Sequence, residues 1–77
     1  MLKTRLEILE KDYDSGLEQM IENEINVKSL EKRLAKSEPG SKDATGIQAA
    51  ITTKKTNIEN IQIVMDTINE LIKGEKK

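Results

Sequence analysis

The chain has 77 residues, of which 35% are charged, a formal net charge of −1 and one aromatic side chain, Tyr13. A chain of this length is at most one small domain, too poor in bulky side chains for a rich globular core, and its near-neutral charge sets up no field toward nucleic acid or a membrane surface. Cysteine and histidine are absent, which excludes disulfides, thiolate chemistry and the commonest general base and metal ligand.

The opening "MLKTRLEILEKD" mixes acidic and basic residues and lacks the apolar core of a signal peptide. No stretch approaches the ~20 consecutive apolar residues of a membrane-spanning helix. The expected location is cytoplasmic.

The first arm places Leu2, Leu6, Leu9, Tyr13, Gly16, Met20, Asn23, Val27, Leu30 and Leu34 at alternating steps of three and four. This is a heptad seam, with Leu6, Tyr13, Met20, Val27 and Leu34 at a. Gly16 and Asn23 interrupt it, both at d. The spacing predicts a helix over about 2–37. At the join, Lys36 suits a helix C-terminus, and Pro39-Gly40 cannot continue a helix. The predicted turn is about 38–43. Ser41, Asp43 and Thr45 are all suitable N-caps for a second helix, and "TGIQ" from Thr45 reads as a capping box.

The second arm repeats the pattern with Ala44, Ile47, Ile51, Lys54, Ile58, Ile61, Met65, Ile68 and Ile72. Only Lys54 departs from it. The predicted helix covers about 44–73, with a polar tail at 74–77. Folding the chain back at Pro39-Gly40 pairs residues whose numbers sum to about 78. Leu34 then meets Ala44, Leu30 meets Ile47, Val27 meets Ile51, Met20 meets Ile58, Tyr13 meets Met65 and Leu6 meets Ile72. The two strongly polar d residues, Asn23 and Lys54, fall in one layer. A linker between unrelated helices would not produce that match, and a parallel pairing would set Lys54 against Lys54. The expected fold is all-α: a single antiparallel two-helix hairpin, coiled-coil-like, assembling into a helical bundle or oligomer.

Several positions carry a bland and a sharper reading. Asn23 and Lys54 form a register-fixing polar layer, with Lys54 reaching Glu22 or Glu24; a ligand-binding lysine would lack a second group to work with. Gly16 makes room for Ile61 and Tyr13, or marks a kink. "DYDSG" starts like a calcium loop at Asp12 and Asp14, but the twelfth residue from Asp12 is Asn23 rather than glutamate. No metal, cofactor or catalytic residue is expected, and no nucleophile lies beside a base. The basic residues Lys28, Lys32, Arg33, Lys36 and Lys42 near the tip are the candidates for anion contact. They interleave with acids and lack an aromatic for base stacking, which argues against nucleic acid.

The seam leaves apolar residues unused. Leu17, Ile21 and Ile25 lie on the e side of the first arm, and Ala50, Val64 and Leu71 repeat at g in the second, with Ile63 beside Val64. These are opposite edges of an antiparallel pair. Side-by-side exposure of this kind marks an interaction surface. Leu17, Ile21, Ile25, Val64 and Leu71 are the predicted protein interface, toward further copies of the chain, another helical protein, or both.

The stretches "TRLE", "LEKRLAK" and "IENIQIVMDTI" resemble the small co-chaperones of type III secretion, and "YDSGLEQ" and "LAKSEPG" resemble its needle subunits. The chain departs from the needle subunits in ending in "KGEKK" rather than an apolar tail, and it has no tryptophan. The resemblance implies a hairpin that holds an aggregation-prone secretion subunit soluble. The expectation is a non-enzymatic protein–protein interaction module: an adaptor, assembly factor or small chaperone. The alternative is a small phage or plasmid type regulatory hairpin that binds RNA or a nucleotide ligand as an oligomer.

Overall fold

The computed structural model describes residues 3–77; the seam position Leu2 lies outside them. Two helices, α1 (Arg5–Lys36) and α2 (Lys42–Glu75), pack against each other as a hairpin measuring 55 × 21 × 14 Å. Every described residue of α1 that is not exposed stands on the predicted seam, from Leu6 and Leu9 through Tyr13, Gly16, Met20, Asn23 and Val27 to Leu30 and Leu34. In α2 the seam residues from Ala44 to Ile72 are likewise withdrawn from solvent, joined by Ala50. The buried core is Val27, Ala44, Ile51, Met65 and Ile72.

Helix α1 starts later than the spacing implies and α2 earlier, and hydrogen bonding explains why. α1 begins at Arg5, not near residue 2, because Thr4 is an extended N-cap whose hydroxyl accepts from the Glu7 N–H at 3.2 Å. The same hydroxyl donates to Glu7 Oε1 at 3.1 Å. The motif Thr4-x-x-Glu7 is therefore a helix start. α1 ends where Ser37 turns to extended backbone, its N–H donating to Leu34 O and its hydroxyl to Arg33 O.

Glu38–Ser41 forms a tight turn, with Ser41 N–H donating to Glu38 O at 3.2 Å. Gly40 at φ +78° in the third position meets the requirement of a type II turn, and proline in the second is favoured there. The turn delivers Ser41 in an extended conformation, and its hydroxyl accepts from Ala44 N–H at 3.1 Å. Ser41 is thus the N-cap of α2, ahead of Asp43 and Thr45. Thr45 lies inside the helix, its hydroxyl donating to Ser41 O. Helix α2 accordingly starts at Lys42 rather than 44. At the far end it runs through Gly74 to Glu75, where the Lys76 N–H closes on Ile72 O. Arg5 and Glu75 join the open ends of the helices in an exposed ion pair at 2.6 Å, a contact worth little by itself.

Helix α1 is continuous through Gly16. A Cβ there would lie 3.0 Å from Met65 Cγ and 3.9 Å from Ile61 Cγ2. Gly16 is therefore a place of close helix approach, and the Met65 side chain occupies part of the space. Alanine at this position gains up to about 1 kcal/mol of helix propensity and loses a comparable amount by displacing Met65. A leucine would crowd Met65 and Ile61 further. We expect Gly16→Leu to cost about 1–3 kcal/mol by overpacking and Gly16→Ala to stay within about 1 kcal/mol of wild type, both read from urea denaturation midpoints. A stabilising Gly16→Leu would show that the helices do not approach closely here.

Candidate docking surface

Helical geometry assigns each apolar residue outside the seam to an edge. Around a heptad wheel, d opens toward g and a opens toward e. In an antiparallel pair the two g edges lie side by side, as do the two e edges. The structure follows this rule: Asp12 and Gln19, at g in α1, line one shallow groove with Val64, at g in α2. Gly16 also lines that groove. Val64 is 56% exposed and Leu71 42%. Ile8, at c in α1, lies on this same side and is also exposed. It escapes the spacing pattern because no apolar residue stands four positions further on.

Leu17, Ile21 and Ile25 climb the other side of α1 in steps of four, 41%, 48% and 59% exposed. Ile21 and Ile25 line a depression with Glu24, Lys28, Ser29 and Lys32. The five predicted interface residues lie in two separate bands, on the opposite edges that the spacing implies. Leu17, Ile21 and Ile25 form one, and Val64 and Leu71, with Ile8, form the other. Ile63, 64% exposed, lies at f on the back of α2 and belongs to neither.

The five basic residues also divide. Arg33, Lys36 and Lys42 meet at the tip around a depression that includes Ser37 and Asp43. Lys28 and Lys32 face the Ile21–Ile25 band instead. In the polar layer, Asn23 and Lys54 are both half-buried. Asn23 Nδ2 donates to Gln19 O in its own helix at 2.8 Å. The expected Lys54–glutamate pair does not form: among the described residues the one ion pair is Arg5–Glu75. Lys54 stands at d and opens toward the g edge, where α1 offers Gln19 and Asn26. Glu24 is on the e edge, and Glu22 lies further round at c.

Among the described residues no cluster of three or more acidic side chains could hold a metal ion, Asp12 and Asp14 included, and no helix is long and apolar enough to cross a membrane. No family model, curated protein or solved structure matches this chain, and so none of these comparisons connects it to type III secretion.

Proposed function

We propose that this hairpin is a non-enzymatic protein–protein interaction module that works by helix-face docking, in the cytoplasm, as an adaptor, assembly factor or small chaperone. One observation carries the reading. The seam between the helices is complete, yet large apolar side chains stand about half exposed in two bands outside it. Completing the burial of Leu17, Ile21, Ile25, Val64 and Leu71 would contribute about half of the roughly 1.5–3 kcal/mol that burying such a side chain from full exposure is worth. Such bands on an otherwise charged surface are the form an apolar anchor takes. Holding a secretion subunit soluble is a narrower version of the same proposal and rests on the resemblance alone.

A second reading is favoured by the tip, where Arg33, Lys36 and Lys42 converge beside the α2 N-terminus. There the hairpin would take a phosphate group of RNA or a nucleotide. Asp43 in the same depression weakens it.

Affinity capture from a lysate of the source organism, in parallel with variants, separates the two. Docking predicts a protein retained at about 0.5 M salt, where exposed charges are screened within a few ångströms, and lost with Ile21→Asp or Val64→Asp. Binding that survives both variants but falls steeply with salt and with Arg33→Glu would contradict docking and support the tip.

A further inference from the structure

Helix α1 sets two ridges side by side. Leu17, Ile21 and Ile25 stand at steps of four, and so do Glu10, Asp14, Glu18 and Glu22. Asp14, Glu18 and Glu22 each lie three residues before a member of the apolar ridge. Residues three and four apart are neighbours on a helix, so the carboxylates run along the whole band. All of these side chains are exposed. Lys11, three residues before Asp14, is the one base beside the acidic ridge; Glu18 and Glu22 have no base three or four residues away in either direction. Both stand on the outside of α1, at f and c, and no ion pair joins them to α2, Arg5–Glu75 being the one pair among the described residues. Like charges four apart repel and destabilise a helix. Glu10 with Asp14, Asp14 with Glu18 and Glu18 with Glu22 are all such pairs, and a cationic partner would relieve them.

Resting on the docking reading, we infer that the Leu17–Ile21–Ile25 band binds an amphipathic helix of another protein, one in which lysines or arginines at steps of four flank an apolar row. Charge complementarity selects this occupant. The partner's apolar side chains cover Leu17 and Ile21, and its cationic groups lie along the carboxylates. A helix set in the groove between the two ridges crosses α1 at about −50°. Bases begin only where the band ends, at Lys28 and Lys32, which share a depression with Ile21 and Ile25. The partner's cationic row therefore belongs over the stretch from Glu10 to Glu22 and not beyond it. The same ridge repels an anionic membrane surface or a nucleic acid. A second copy of α1 fits no better, because an antiparallel pair lays e beside e and f beside f, which brings Glu10 to Glu31 and Lys11 to Lys32.

Fluorescence anisotropy of two labelled synthetic peptides, titrated with the full chain, tests this. Both are amphipathic helices with a row of leucines spaced by four; one carries lysines beside that row, and the other carries glutamates in the same places. At about 0.1 M salt the lysine peptide is expected to bind about tenfold more tightly than the glutamate peptide. The double variant Glu18→Lys, Glu22→Lys changes exposed positions only, and far-UV circular dichroism serves as its folding control. It should weaken the lysine peptide by about tenfold and strengthen the glutamate peptide. Ile21→Ser, which removes an apolar anchor without adding charge, should abolish binding, and Val64→Ser, on the other edge, should leave it unchanged. Equal binding of the two peptides, or a lysine peptide indifferent to the charge reversal, would overturn the inference; if Ile21→Ser still abolished binding, the docking reading would stand with a partner of different charge. Binding of neither peptide would overturn it too. So would a dimer in sedimentation equilibrium that Ile21→Ser dissociates, since a second copy would then hold the band.

Discussion

Ile51→Ala is expected to remove most of the stability of the isolated hairpin. Ile51 is the most buried side chain among the described residues, 3% exposed, and stands at an a position of α2 where the register pairs it with Val27, itself 7% exposed. Truncating a buried isoleucine costs about 2–5 kcal/mol, the transfer term plus the cavity left behind. In a large domain that loss is absorbed. Here the core consists of Val27, Ala44, Ile51, Met65 and Ile72, and no large side chain is completely enclosed. A single core of this size supplies only about 3–5 kcal/mol, so the cost and the total are comparable. Urea unfolding monitored by circular dichroism should show a broad, early transition or none. A loss below about 1 kcal/mol would mean that the site collapses around the truncation and that the seam is loosely packed.

The second large effect has the opposite sign. Replacing both Asn23 and Lys54 with leucine should stabilise the hairpin by about 2–4 kcal/mol, since two half-buried polar side chains give way to apolar ones in the seam. Neither present side chain makes a hydrogen bond or ion pair between the helices that would be lost. Asn23 is bonded to Gln19 O within α1, and Lys54 has no carboxylate partner. What the pair contributes is specificity: it is the polar layer of an otherwise apolar seam and penalises slipped or parallel pairings. The double variant should therefore melt higher and sediment as a mixture of masses. Destabilisation would show that the layer stabilises the fold directly, through a contact such as a bridging water.

The seam was legible in the sequence because alternating steps of three and four over so many turns have few structural solutions. Gly16 and Asn23 stay on it in the structure as half-buried positions. The helix ends were less legible. Three residues could cap α2, and the choice of Ser41 is made by the Pro39-Gly40 turn, whose geometry depends on the positive φ of one glycine. The Thr4-x-x-Glu7 start is present as a motif and marks where α1 begins. Closeness in the register suggests a glutamate for Lys54, whereas the direction in which a d position opens decides what it can reach. The two bands were visible as residues, but Ile8 was not, and grouping the basic residues required seeing which side of α1 each one occupies. What docks on the bands is not written in their spacing, because an apolar anchor specifies a surface and not the identity of its partner.

The central claim is that the seam holds the hairpin and the outer bands are free for docking. Its most direct test is the unfolding midpoint, at low protein concentration, of wild type, Ile51→Ala and a variant carrying Ile21→Asp and Val64→Asp together. Ile21 and Val64 are 48% and 56% exposed. The account predicts that the band variant unfolds at the wild-type midpoint while Ile51→Ala does not. A band variant that collapses as Ile51→Ala does would contradict it, since those side chains would then be part of what holds the hairpin together.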